Sequence, residues 1–368
     1  MDLMRRMLAT FLVVVGTIAL ADSRTPASAI SESKDSACRR VELEDAPDWI
    51  ISGAFSPSGE ALFLVDHHNQ AILRYNDSGR AFGPLSIGER LTSFRPSMLK
   101  SYGDGFVLEM AAGRYALFDK NFAPLQTRDA LREAGRVNPT LLSFFLWDVA
   151  GEDLIAFSDF SEGPSNVERT GFVRLPIRSA EPISILNAYS PKDPIRNFNR
   201  LGHPYITSIG TTAYFLEMTS PPRLIRSRGR TREWAPLNVT FPGGSPNLPE
   251  FWNRTDIPAV MEAVSKSSMP VGLYRSGKSL IVLSRQKDPG RSTTTWLLTR
   301  INPEREQVLW TKRIDLSAEH VVAVPGPINW AFVEKGSVEA MGVQKSRSIL
   351  FVPTSRIDNE AGGSPICP

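Results

Sequence analysis

The sequence predicts an all-β protein: a six-bladed β-propeller with four-stranded antiparallel blades and long loops on one face. Three observations predict it. A unit made of a short apolar segment, a glycine-containing turn and a second strongly apolar segment recurs six times. Its spacing is close to that of a propeller blade. Long helical periodicity is missing, with only short helix candidates at 129–136 and 257–266.

The chain opens with an export signal. Arg5 and Arg6 precede an uncharged apolar run from Met7 to Leu20, and Ala19-Leu20-Ala21 offers a small-x-small cleavage site. The run has 14 residues (7–20), whereas a membrane-spanning helix needs roughly 20. Ala27-Ser28-Ala29 is an alternative cleavage site. Residues 1–21 are therefore expected to be a signal peptide, and the mature chain to be secreted or periplasmic without a membrane span. Residues 22–37, rich in Ser, Ala and charge, read as a disordered leader, and 38–368 as the propeller domain.

Within that domain the six turns align. Ser56-Pro57-Ser58-Gly59 precedes ALFLVD (61–66), and Tyr102-Gly103-Asp104-Gly105 precedes FVLEM (106–110). Ala150-Gly151-Glu152-Asp153 precedes LIAFSD (154–159), and Ile209-Gly210-Thr211 precedes AYFLEM (213–218). Ser276-Gly277-Lys278 precedes LIVLSR (280–285), and Gly326-Pro327 precedes NWAFVEK (329–335). From Gly59 through Gly105, Gly151, Gly210 and Gly277 to Gly326 the intervals are 46, 46, 59, 67 and 49. The three shortest match a four-stranded blade, and the two longer ones imply insertions.

The formal net charge is +3 and falls by one when the signal region is removed. With no block of like charge, no nucleic-acid partner is expected. The two cysteines, Cys38 and Cys367, stand at opposite ends of the mature chain. In an oxidising compartment they are a disulfide candidate, with two separate thiols as the alternative. A bridge closing so long a loop removes denatured-state entropy worth up to roughly 5 kcal/mol. Only a fold that brings its termini together can form it, so the strand candidate 40–44 is expected to pair with 349–353.

The first unit carries a resemblance. Phe55, Ser56, Pro57, Gly59, Leu62, Leu64, Asp66, Asn69, Ile72 and Tyr75 fall where NHL-type and related six-bladed propellers have their repeat residues. The likeness extends over 47–83, is fair in the second unit and stays in phase in the others. It implies a fold, since such propellers include lactonases, lyases, receptor domains and scaffolds. In gluconolactonase-type relatives a divalent ion sits on the channel axis, held by an acidic residue, two asparagines and an aspartate. That pattern is not found after the second strands here.

On the propeller scheme, second-to-third-strand turns and blade-to-blade links share one face. The segments 159–170 and 285–295 read as turns of the first kind. The segments 129–136, 187–202 and 238–269 read as links of the second kind. Loops that outgrow the needs of a fold commonly carry binding or catalysis. The same face is expected to hold all four histidines: His67 and His68 in the first such turn, His203 and His320 just before inner strands. Second strands end in Asp66, Glu109, Asp159 and Glu217. The candidate ligand-binding set is thus His67, His68, His203, His320, Asp66, Asp159 and Glu217. No cofactor is assigned, although a ring of His and carboxylate groups leaves a divalent cation open as an alternative to solvated turn residues.

No G-x-S-x-G, H-E-x-x-H or C-x-x-C motif occurs. Two functional readings follow. The first is an exported module whose decorated face binds a small molecule, glycan or protein. The alternative is a hydrolase or lactonase-like enzyme with its site at the mouth of the central channel. The sequence names neither ligand nor reaction.

Overall fold

The computed structural model describes residues 37–367, except 45–46, 86, 88–94, 112, 135–139, 142–145, 163–166, 180–182, 190–204, 218–220, 228–233, 243–266, 288–293, 336–345 and 360–364. Six antiparallel sheets account for nearly every described element. Blade one is β2 (Ile50–Phe55), β3 (Leu62–Asp66), β4 (Ala71–Tyr75) and β5 (Ala81–Pro84). Blade two is β6 (Leu99–Tyr102), β7 (Gly105–Ala111), β8 (Arg114–Phe118) and β9 (Pro124–Asp129), followed by the helix α1 (Ala130–Ala134). In blade three β10 (Thr140–Leu141) and β11 (Leu146–Ala150) both pair with β12 (Asp153–Glu162). β13 (Val167–Pro176) and β14 (Ser184–Tyr189) complete it. Blade four is β15 (Ile206–Ile209), β16 (Thr212–Glu217), β17 (Arg223–Ser227) and β18 (Trp234–Pro236). Blade five is β19 (Met269–Ser276), β20 (Ser279–Lys287), β21 (Thr294–Asn302) and β22 (Gln307–Ile314).

Blade six is assembled from both ends of the chain. β23 (His320–Val324), β24 (Asn329–Lys335) and β25 (Ser346–Pro353) come from the C-terminal part, and β1 (Arg39–Glu42) adds the outer strand. Arg39 lies opposite Phe351 and Glu42 opposite Ser348. The expected end-to-end pairing is present, shifted by one residue from its sequence-read start. Cys38 and Cys367 are disulfide-bonded, with Cα atoms 5.7 Å apart. Beyond β25 the short helix α2 (Thr354–Asp358) and the C-terminal segment return beneath blade five. The Ile366 amide donates to the Arg313 carbonyl there (3.1 Å), and Ser276 Oγ donates to Asp358 (2.7 Å).

The burial of each strand follows its place in the blade. β3 and β16 are buried along almost their whole length because both faces of a second strand pack on neighbouring blades. That is why these segments read as continuous apolar runs rather than alternating ones. The outer strands β5 and β9 are largely exposed. Five apolar clusters form the layers between blades. Leu62 and Leu64 meet Ile349 and Phe351 where blade one adjoins blade six. Phe63 meets Phe106 between blades one and two, and Phe172 stacks on Phe215 (4.0 Å) between three and four.

First strands form the inner ring: β2 lies beside β6 and β23, β11 beside β6 and β15, and β15 beside β19. Each presents an edge whose backbone groups have no next strand. Serines bridge several of these gaps. The Leu99 amide donates to Ser52 Oγ (2.9 Å), which donates to the Leu99 carbonyl (3.1 Å). Ser101 donates to the Phe55 carbonyl, and Ser208 to that of Val149. Backbone groups left unpaired in a buried setting are costly, so the hydroxyls stand in for a ladder.

The connections divide unequally between the two faces. On the lower face, first-to-second-strand turns are as short as two residues, at 103–104, 151–152, 210–211 and 277–278. Gly103 (φ 54°) and Gly277 (φ 57°) take the left-handed conformation that such tight hairpins require. At the upper face the chain leaves β5, β14 and β18 and returns at β6, β15 and β19, with 85–98, 190–205 and 237–268 between them in sequence. Two expectations need correction. Most of 159–170 is strand, because β12 runs on to Glu162 and β13 starts at Val167, with Asp159 opposite Thr170. Likewise Arg285 to Lys287 and the first residues of β21 are paired strand, which narrows the turn read at 285–295. The helix expected at 129–136 is α1; the one at 257–266 lies outside the described residues.

Replacing Cys38 and Cys367 together by Ser should lower stability by several kcal/mol, at most roughly 5. Amide hydrogen exchange should rise first at 39–42, before the inner strands. Uniform exchange rates across blade six and no change in denaturation midpoint would contradict the role given to the bridge.

Candidate functional site

The upper face is built on the ends of the second strands, and there the chain places buried carboxylates. Asp66 closes β3 with its side chain almost wholly covered, 1 % exposed. It accepts hydrogen bonds from the amides of Asp48 (3.0 Å), Trp49 (3.3 Å), His68 (3.1 Å) and Asn69 (3.2 Å), and from Asn69 Nδ2 (2.9 Å). One carboxylate therefore fixes both the link entering β2 and the turn leaving β3. Glu109 does the same in blade two. It accepts from Ser97 Oγ (2.7 Å), from the Gly113 amide (3.3 Å) and from the Trp147 indole across the blade boundary (3.1 Å). Burial pushes its carboxyl above the usual range, against the lowering effect of these three donors.

Glu217 accepts from Tyr189 OH of blade three (2.7 Å) and from Arg223 of its own hairpin (2.8 Å). Asp159 accepts from the Thr170 hydroxyl opposite it. In blade six Glu334, 2 % exposed, accepts from the Ser317 amide and hydroxyl, from Ser348 Oγ (2.7 Å) and from Arg40 Nε of the added strand (3.0 Å). A buried carboxylate is tolerated only when its oxygens are met in this way. Glu334 escaped the sequence reading although it ends the sixth apolar run as the others end theirs. The phase of the repeat was the available signal.

His67 and His68 lie exposed in the turn after β3. The His67 ring packs edge-on against Trp49 (5.9 Å between centroids), and its Nδ1 is 3.3 Å from the Pro96 carbonyl. His320 starts β23, opposite Lys335 on β24. His203 lies outside the described residues. His67 and His68 at blade one and His320 at blade six thus share the upper face with Asp66 and Glu217. Among the described residues no three His, Cys, Asp or Glu side chains converge in a way that would hold a metal ion.

Blade five breaks the acidic pattern. Its second strand ends in Arg285, 2 % exposed, and continues to Lys287. Lys287 Nζ is 2.8 Å from Glu319, on the link that enters β23. That link is pinned twice, by the Trp296 indole donating to the Ala318 carbonyl (2.9 Å) and by Glu334 at Ser317. Burial, together with the cations Arg285, Lys335 and Lys287, holds His320 below the usual imidazole range, partly opposed by Glu319. Burial lowers Lys335 to about 8, and no acidic side chain opposes the shift.

With this geometry in view, comparison with known proteins yields likeness of fold. No protein-family model matches the chain, and no curated protein matches it in sequence. Among solved structures it resembles a member of the DUF4221 family from Bacteroides vulgatus, with a TM-score of 0.56 and 8 % identity over 86 % of this chain and 96 % of that one. It also resembles a gluconolactonase from Xanthomonas campestris (TM-score 0.49, 12 % identity, 86 % and 89 % covered). A Bacteroides fragilis protein described as a candidate exported protein gives similar values (TM-score 0.49, 12 % identity, 86 % and 95 % covered). At these identities the likeness is one of architecture, a six-bladed propeller.

Two outcomes are expected. Asp66→Ala strands four backbone amides at once and should cost about 2–4 kcal/mol in denaturant unfolding, with Asp66→Asn losing less. Lys335, with its folded value below the ordinary one, loses its proton earlier in the folded chain than in the unfolded chain. The unfolded state then binds more protons, so stability should rise as pH is taken from about 8 towards the ordinary lysine value. Lys335→Met should flatten that rise; an unchanged pH profile would contradict the assignment.

Proposed function

We propose that this chain is an exported propeller that binds a small molecule, glycan or protein through its upper face. The observation that carries the reading is the asymmetry of the connections. The links 85–98, 190–205 and 237–268 all leave the upper face, while lower-face hairpins are trimmed to two residues at four of the blades. Growth without function has no reason to select one face. Export is supported by the apolar run after Arg5 and Arg6 and by the disulfide, a bond that persists in oxidising compartments. Among the described residues no helix is long and apolar enough to cross a membrane.

The upper-face roots are held in blades one, two and six, where Asp66, Glu109 and Glu334 fix the links entering β2, β6 and β23. A ligand that spans several blades would therefore meet preset polar groups rather than order them itself. The proposed contacts are His67, His68, His203 and His320, with Asp66, Asp159 and Glu217 at the strand ends. The carboxylates act chiefly by holding the loops that make the contacts.

The test is a thermal-shift and calorimetric screen of monosaccharides, sugar acids, δ-lactones and oligosaccharides against the mature protein. A ligand whose binding weakens at least tenfold in His320→Ala, and is unaffected by the lower-face change Lys278→Ala, supports the reading. Binding lost in Lys278→Ala and kept in His320→Ala would move the site to the other face and overturn it. Turnover of a δ-lactone in the same samples would favour the hydrolase alternative. N-terminal sequencing of exported material should begin at Asp22.

A further inference from the structure

The second strands end in or near an acid in five blades, with Asp66, Glu109, Asp159, Glu217 and Glu334, and in the base Arg285 in blade five. Where blades five and six meet, Arg285, Lys287, Lys335 and His320 stand together. We infer that this sector is an oxyanion subsite, in which Lys335 receives a carboxylate or phosphate group of the ligand and His320 and Arg285 flank it. The inference rests on the upper-face reading above and names the ligand chemistry for it.

Glu319 is engaged by Lys287 at 2.8 Å. Glu334, next to Lys335 in the strand, is directed to the opposite side of the sheet by strand alternation, and its oxygens are taken by Arg40, Ser317 and Ser348. That leaves Lys335, half-buried at the upper end of β24, without an ion pair among the described residues. Its neighbour across the β23–β24 ladder is His320, on the same side of the sheet. Directly opposed like charges are unfavourable, and here burial first, and then the surrounding cations, hold the imidazole below its ordinary range.

Lys335 is desolvated beside His320, with Arg285 and Lys287 close to that imidazole, and a desolvated ammonium without an ion pair carries an electrostatic cost. An incoming oxyanion relieves it. The site is also preorganised. Trp296 and Glu334 fix the 315–319 link from two blades, so Glu319 and His320 keep their places before any ligand arrives. When the anion binds, it stabilises the protonated forms of Lys335 and His320, so both should take up protons.

The experiment uses the full mature chain with inorganic phosphate and citrate as separate probes. The imidazole signals are followed by NMR and His320 is assigned with H320Q. The expected result is a saturable shift at His320 with one or both probes, accompanied by a rise in its pKa. Phosphate alone acting points to a phosphorylated ligand, citrate alone to a carboxylated one. K335M should weaken binding at least tenfold with unchanged far-UV circular dichroism. Should K335M not fold, limited acetylation of the wild-type chain near neutral pH supplies a second measurement. Lys335 should be modified ahead of other lysines and be protected by the active probe. Absence of a saturable shift with either anion, or full binding in K335M, overturns the inference. If a neutral ligand still binds and depends on His320, the upper-face reading stands while the oxyanion subsite falls.

Discussion

A ring of sheets is stable only if its last blade has a complete partner for its first, and in this chain that completion comes from four residues near the N-terminus. β1 covers the outer edge of β25 in register, and Val41 and Leu43 pack beside the cluster of Leu62, Leu64, Tyr75, Ile349 and Phe351. The segment then passes against blade one, where the Glu44 amide donates to the Gly79 carbonyl (3.3 Å) and Arg39 pairs with Asp77 (3.1 Å). Without it, blade six would show an open strand edge and half a core layer to water. The disulfide fixes the same junction covalently from the lower face, and Ile366 and Ile357 are buried beside it. Closure thus rests on a short exposed strand made secure by neighbours rather than by its own burial.

Closing the ring leaves a second problem, that of polar groups where strands end. Each blade must turn its chain twice at the upper face, once to its own third strand and once to the next blade. Both turns expose backbone amides near the inter-blade core. In blade one a single buried carboxylate, Asp66, meets four of these amides at once, those of Asp48, Trp49, His68 and Asn69, while Glu109 and Glu334 each meet one. Desolvation opposes a buried charge by several kcal/mol, and multiple charge-assisted hydrogen bonds offset it. The loops are consequently held at their roots and free to differ in length beyond them, which is how a regular fold supports an irregular face.

Much of this was legible in the sequence, and the reasons are physical. Second strands packed on both faces give uninterrupted apolar runs, so ALFLVD and LIVLSR announce themselves, and tight hairpins need glycine at Gly103 and Gly277. The cysteines at 38 and 367 and the strand at 40–44 foretold closure because only a fold that brings its ends together joins such distant residues. Extents were harder to read. Polar residues such as Ser158, Asp159 and Thr170 look like turn formers, yet they belong to a ladder in which hairpin partners satisfy one another. Asp66 read as a possible contact because strand-end acids look alike in sequence whether solvated or buried. Its five hydrogen bonds depend on the link from β1, which is adjacent in the chain but whose path is set by the neighbouring blade. Lys335 and Arg285 were invisible as a pair, being far apart in sequence and joined only by the packing of blade five on blade six.

That last juxtaposition has a bearing on how the face works. Elsewhere the strand-end acid is answered by hydrogen-bond donors or by an arginine, as Arg223 answers Glu217 and Arg40 answers Glu334. Replacing the acid by Arg285 in blade five gives the upper face a basic sector. On the proposed reading, that sector would give the field across the upper face a direction. An asymmetric ligand with one anionic end would be oriented by that field before it touches a loop. The six blades share a backbone plan; on the proposed reading, the one strand end that departs from it, together with the pinned link beside it, would give an otherwise repetitive ring a preferred direction for a ligand.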